Sequence, residues 1–246
     1  MKDPMNDLHQ LVTELAPTPI FGITLTLAAY VISLRIQRAA RGSALANPVL
    51  LSILIIGSVL HLSGISYETY FNGAALIHFL LGPATVALAV PLANNFLHLK
   101  RRLFGIVLAI VTGSIVSIVS GIGIVEMLGG SRVIAFSMAP KAATTPIAMD
   151  VSRTFGGIPS LTAVLAISGG ILVAIFIRPI LKCMKIEDWR AFGLAAGTAG
   201  SGIGAARAIP LHETAGAFAG LAIGLNGLIT ALLVPIAIHL WSKFTP

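Results

Sequence analysis

The segment "SMAPKAATTPIAMD", Ser137 to Asp150, gathers the side chains best suited to chemistry in this chain. Lys141 stands between Pro140 and Pro146, with Thr144, Thr145 and Asp150 close behind. An ammonium beside two hydroxyls suits the binding of an anion's oxygens. Covalent catalysis has no equivalent set. The chain carries no nucleophile–base pair, Walker loop or dinucleotide fingerprint. Cys183 is the single cysteine, and His61, His78 and His98 lack the spacing of paired metal ligands. The expectation is therefore no enzyme, no metal and no cofactor. A lysine held deep in a bilayer costs roughly 3 kcal/mol or more, so Lys141 either meets an anionic ligand or snorkels to the interface.

Other candidates lie downstream. Arg207 follows a run containing Gly200, Gly202 and Gly204. If the chain unwinds there, its guanidinium grips a carboxylate through two parallel hydrogen bonds; otherwise it anchors the end of a span. Asn226 sits inside "GLAIGLNGLIT", where a buried amide serves either a ligand or interhelical packing. Thr85, Thr198, Ser201 and Thr230 are weaker members of the set. Asp150 is a candidate for ion coupling, for pairing with Lys141 or Arg153, or for exposure at the outer mouth.

These residues need a membrane scaffold. The chain has 246 residues, 56% hydrophobic and only 10% charged, against about 25% charged in soluble domains. Its mean hydropathy is +0.94. Apolar runs long enough to span fall at about 20–36, 48–64, 70–98, 104–127, 158–178, 190–211 and 215–240. Basic clusters fix their sidedness: Arg35, Arg38 and Arg41; Lys100, Arg101 and Arg102; Arg178, Lys182, Lys185 and Arg190. With all three inside, the polar stretch 1–19 lies outside and the C-terminus inside. The net charge of +7 then reports orientation, and no nucleic-acid motif accompanies it.

Both ends of 132–156 fall on the outer side under this count. The segment is therefore predicted to be a re-entrant hairpin with Ala142–Pro146 at its tip. Irregular backbone at that depth requires burial in protein or a wet cavity.

Two spans are predicted to break in the middle. One carries Pro83 and Pro91, the other Gly200, Gly202 and Gly204; "ALAVPL" at Ala87–Leu92 echoes "ARAIPL" at Ala206–Leu211. With opposite sidedness, 48–127 and 158–240 are expected to form two inverted three-helix repeats, a transporter plan. The expected fold is an all-α polytopic membrane protein: about seven transmembrane helices plus the hairpin, forming one membrane domain over 20–246. Glycines at four-residue spacing (193, 197; 216, 220, 224) serve internal packing or a homo-oligomer seam.

Four motifs in order, "HFLLGPATVALAVPL", "APKAATTPIAMDVSRTFGGIPSLTAV", "GLAAGTAGSGIGAARA" and "GAFAGLAIGLNGLITALLVP", resemble the LrgB/CidB family over about Asn47 to Pro235. The resemblance implies a bacterial inner-membrane protein with one of two functions. One is a carrier of small monocarboxylates of the glycolate, glycerate, pyruvate or lactate type. The other is a holin- or antiholin-like regulator of murein hydrolase export and lysis, acting with a small LrgA/CidA-type membrane partner. The matching motif positions are Pro83, Thr85, Pro91, Pro140, Lys141, Thr144, Thr145, Pro146, Arg207 and Asn226. The chain departs from the family at Ser201, where histidine is common, at Ala142, where serine is usual, and at Ala93-Asn94 after "VPL".

Overall fold

The structure is a computed structural model describing residues 15–40, 43, 46–87 and 103–244, apart from the side chains of residues 81, 84, 85, 87 and 244. It divides into two compact units, Met1–Thr85 and Val86–Pro246.

In the first unit, α1 (Pro19–Ala39), α2 (Pro48–Ser63) and α3 (Tyr67–Gly73) each begin at a side-chain cap: Thr18, Asn47 and Ser66. These hydroxyl and amide oxygens take up amide protons that the first helical turn leaves unpaired. Gly64, at φ 68, closes α2 in the left-handed region, and α3 departs at 120° from α2. Gly22 packs against the Gly73–Ala74 backbone, and the Thr26 and Tyr70 hydroxyls meet at 2.7 Å. α4 (Ala75–Ala87) runs through Pro83 without a break. The predicted break at Pro83 is thus absent; proline there removes one hydrogen bond without ending the helix. Pro91 and the rest of the predicted 70–98 span lie outside the described residues.

Among the described residues the second unit has three long apolar helices: α5 (Leu103–Met127), α8 (Pro159–Cys183) and α10 (Glu213–Phe244). Between α5 and α8 come α6 (Arg132–Met138) and α7 (Thr145–Thr154). They fold back on each other as hairpin A. The Thr162 hydroxyl lies 3.0 Å from the Ser137 carbonyl of α6 and 2.7 Å from the Ser152 hydroxyl of α7. Gly157 permits that approach, since a Cβ there would sit 3.0 Å from the Ser137 amide nitrogen. Two short helices thus fold back on each other within the segment 132–156.

Between α8 and α10 lies α9 (Trp189–Ala208), read from the sequence as a span at 190–211. It is not straight. Ser201 has φ 48 and ψ −137, and the chain reverses there. A Cβ on Gly204 would sit 2.9 Å from the Ala196 carbonyl carbon, although eight residues of straight helix would separate the two by about 12 Å. At the open end, the Trp189 and His212 rings stack 5.2 Å apart. We call this folded element hairpin B. It returns to the end of the unit at which it entered.

This second hairpin changes the direction of α10. Ser114 of α5 bonds Asn226 of α10 at 2.6 Å, and Glu126 near the end of α5 bonds Trp241 near the end of α10. Ile106 and Ile110 pack with Leu221 and Ala222, and Ile118 and Ile122 with Val234 and Ile238. Helices α5 and α10 therefore run parallel. The expected assignment made them antiparallel, because it counted 190–211 as a crossing. Among the described residues four helices are long and apolar enough to cross a membrane, or five if the bent pair α2–α3 counts as one span. The prediction of seven differs partly because α9 folds back.

Candidate functional site

The tips of the two hairpins meet. In hairpin A, the Lys141 and Ala143 amides make short turns onto the Met138 and Pro140 carbonyls. Pro140 is buried in this turn, and Pro146 sits in the first turn of α7, where a missing N–H costs nothing. Thr144 occupies the cap position of α7 in extended conformation, yet its side chain makes no cap bond. In hairpin B the reversal occurs at Ser201 between Gly200 and Gly202. Gly200 packs on α8: a Cβ there would lie 2.7 Å from Val173 Cγ1.

Asn226 joins the two tips. Its Nδ2 donates to the Ala142 carbonyl at 2.8 Å and to the Thr198 carbonyl at 3.1 Å. Its Oδ1 accepts from Ser114 at 2.6 Å and lies 3.4 Å from the Thr230 hydroxyl. With Asn226 only 1% exposed, each amide hydrogen and the amide oxygen need such a partner. The two amide hydrogens are divided between the hairpins.

The junction lies level with the midpoints of the long helices. Ser114 and Ser117 flank the midpoint of α5, Gly170 is next to the midpoint of α8, and Asn226 is near the middle of α10. A Cβ on Gly170 would be 3.0 Å from the Gly200 carbonyl oxygen of hairpin B.

Lys141 reaches α5 from the tip of hairpin A. Its Nζ donates to the Ser117 carbonyl at 2.8 Å and lies 3.1 Å from the Ser117 hydroxyl. Gly121, one turn along α5, leaves room for this path: a Cβ there would be 2.9 Å from Lys141 Nζ. Among the described residues no carboxylate pairs with Lys141.

Two hydroxyls remain unanswered. Thr144 Oγ1 in hairpin A and Thr198 Oγ1 in hairpin B are buried without a hydrogen-bond partner. Their residues are 9% and 8% exposed. Leaving a buried hydroxyl unpaired costs about 1–3 kcal/mol, so two at one junction call for an explanation.

The structure thus gathers Lys141, Thr144 and Asn226 at one place, with Thr145 opening α7 and Ser201 at the reversal of hairpin B. Arg207 is elsewhere: half-buried, about 9 Å along the returning arm from Ser201 and nearer the open end of the hairpin. It does not join Lys141 at the tips, because the chain reverses before reaching it. Asp150 is also apart. It is 76% exposed and pairs with Arg153 at 3.5 Å, so it is not the counter-ion of Lys141. Gly204 serves packing against Ala196, and the reversal is confined to Ser201. The Thr85 side chain and Pro91 fall outside the described residues. His78 packs edge-on to Phe71 at 5.2 Å, and no metal-ligand cluster occurs among the described residues. Ser114, Ser117 and Gly121 escaped the sequence reading. Their signal is "SIVSIVSG", three serines three residues apart on one helix face.

The model of the LrgB-like family matches residues 26–240. Curated relatives named "Antiholin-like protein LrgB" from Bacillus mycoides (strain KBAB4), Bacillus cereus (strain B4264) and Bacillus anthracis (strain CDC 684 / NRRL 3495) are each 34% identical over 219 residues. The alignments cover 89% of this chain and 95% of each relative. No solved structure matches. An extended match to the family model, together with relatives aligned almost end to end, establishes that this chain belongs to the LrgB-like family.

Proposed function

We propose that the junction of the hairpin tips is the ligand site of a secondary carrier for small monocarboxylates, working by alternating access. One observation carries this reading: the two partnerless buried hydroxyls, Thr144 and Thr198, one on each hairpin on either side of Asn226. A carboxylate satisfies both as an acceptor. Lys141 supplies the charge by exchanging Ser117 for the ligand. The uncapped first turn of α7 adds positive potential through its Thr145 and Ile147 N–H groups, which have no intrahelical acceptor. Broken helices meeting at mid-depth are the plan by which carriers place their sites.

The basic residues at the end of α8 support a cytoplasmic position for that end. Hairpin A then enters from outside and hairpin B from inside. The span-plus-hairpin pairs α5–A and α8–B form the inverted repeat, in place of the three-helix repeats at 48–127 and 158–240. On this reading the end of α10 faces outward from a bacterial inner membrane.

The names of the relatives favour a second reading more directly than they favour the first. They are called antiholin-like, and the second reading is that this chain regulates lysis together with an LrgA/CidA-type small membrane protein. The discriminating experiment is uptake of labelled glycolate, pyruvate and lactate into proteoliposomes holding this chain alone, beside Lys141→Ala. The carrier reading expects saturable uptake that the variant loses. The regulator reading expects no saturable uptake from folded protein.

A further inference from the structure

We infer that the groove between α8 and hairpin B is the docking site of an anionic phospholipid whose acyl chain ends at the tip of hairpin B. The headgroup end is a cavity of about 730 Å³ beyond the end of α8, lined by Arg178, Lys182, Glu187, Trp189, Leu181 and Phe192 among others. Arg178 and Lys182 are four residues apart on one helix face, close enough to share one phosphate. Neither is ion-paired among the described residues. With Glu187 the lining retains a net positive charge. Trp189 supplies the indole that favours the boundary between headgroups and hydrocarbon.

An apolar groove of about 420 Å³ leads away from this cavity, and Leu181 lines both. It passes Ile180, Phe176, Val173 and Leu172 on α8 and reaches Ala199 on hairpin B. From Leu181 to Leu172 it runs about 14 Å along the helix, a length that suits an acyl chain. Its far end is the packing seam at which Gly200 meets Val173 and Gly170. A basic mouth continuous with a long apolar channel complements an amphiphile with one negative charge. A soluble anion leaves the channel empty, and a zwitterionic lipid brings a choline cation with its phosphate and so adds no net negative charge to the basic mouth. Anionic lipids populate the leaflet at the basic end of such helices. Occupancy would brace hairpin B along its length, tying the ligand junction to lipid composition. That regulatory role rests on the carrier reading; the lipid site itself does not.

The test is thermal unfolding of the full-length protein in detergent with dioleoyl phosphatidylglycerol, dioleoyl phosphatidylcholine or glycerol phosphate. At a hundredfold excess over Kd, phosphatidylglycerol is expected to raise Tm by about 5 °C or more. Phosphatidylcholine and glycerol phosphate should leave Tm unchanged, and Arg178→Gln/Lys182→Gln should lose the shift. An equal shift with phosphatidylcholine, or with glycerol phosphate alone, overturns the proposal, as does an undiminished shift in the double variant. The lipid comparison on unaltered protein decides the matter even if that variant fails to fold. Failure here leaves the uptake assay untouched, so the two readings fail separately.

Discussion

The Asn226 amide donates to the Ala142 carbonyl at 2.8 Å, so the middle of α10 holds the tip of hairpin A. The other hydrogen of the same nitrogen holds hairpin B through Thr198. Asn226→Leu keeps the branched shape and removes both bonds and the acceptor of Ser114. Three membrane-buried bonds at about 0.6 kcal/mol each give a loss near 2 kcal/mol. Thermal unfolding in detergent should show Tm lowered by about 4–8 °C.

Thr144→Val and Thr198→Val separate ligand binding from stability. Each removes a buried hydroxyl that bonds nothing within the protein. Tm should hold or rise slightly, because no internal bond is lost and an unpaired polar group disappears. Uptake should weaken about tenfold in KM, the value of one ligand hydrogen bond near 1.4 kcal/mol. Paired melting curves and uptake kinetics on the same preparations check both halves.

Gly202 and Gly204 distinguish a folded hairpin from a straight span. A Cβ on Gly204 meets the Ala196 backbone, whereas one on Gly202 meets nothing within 4 Å. Gly204→Ala should cost about 1–3 kcal/mol through overpacking. Gly202→Ala should be close to neutral. A straight helix predicts similar, mild effects at both positions, and a Tm comparison reads the difference.

Ser201 carries backbone strain at φ 48. A non-glycine residue in such a region costs about 1–3 kcal/mol. Ser201→Gly should therefore raise Tm by a few degrees, and Ser201→Val should lower it. Denaturation of the purified variants is the check.

Hairpin A was legible in the sequence and hairpin B was not, for a physical reason. Basic residues near 100 and 182 force both ends of 132–156 to the same side, and Pro140 and Pro146 mark its turn. In 190–211 no charge count intervenes. Twenty apolar and small residues fit one crossing or two half-crossings equally well, and a single residue, Ser201, decides between them. Arg207 was misplaced by the same ambiguity, since a residue beyond a reversal moves away from the tip. Lys141, Thr144 and Asn226 were identifiable by type, because polar groups inside apolar runs need partners. Their actual partners, Ser117 and Ser114, sat in a regular serine spacing whose meaning depended on which helix lay beside them.

The claim on which the rest depends is that hairpins entering from opposite sides meet at Asn226, so that α10 ends where α5 ends. Cys183 is exposed at the end of α8 and provides a native reference. Leu128→Cys and Ser242→Cys, each in a Cys183→Ser background, mark the ends of α5 and α10. A membrane-impermeant maleimide should label both of these from one face of the membrane, and Cys183 from the other. Labelling of Ser242→Cys from the Cys183 face would mean that 189–208 crosses the membrane, and would contradict the two-hairpin site.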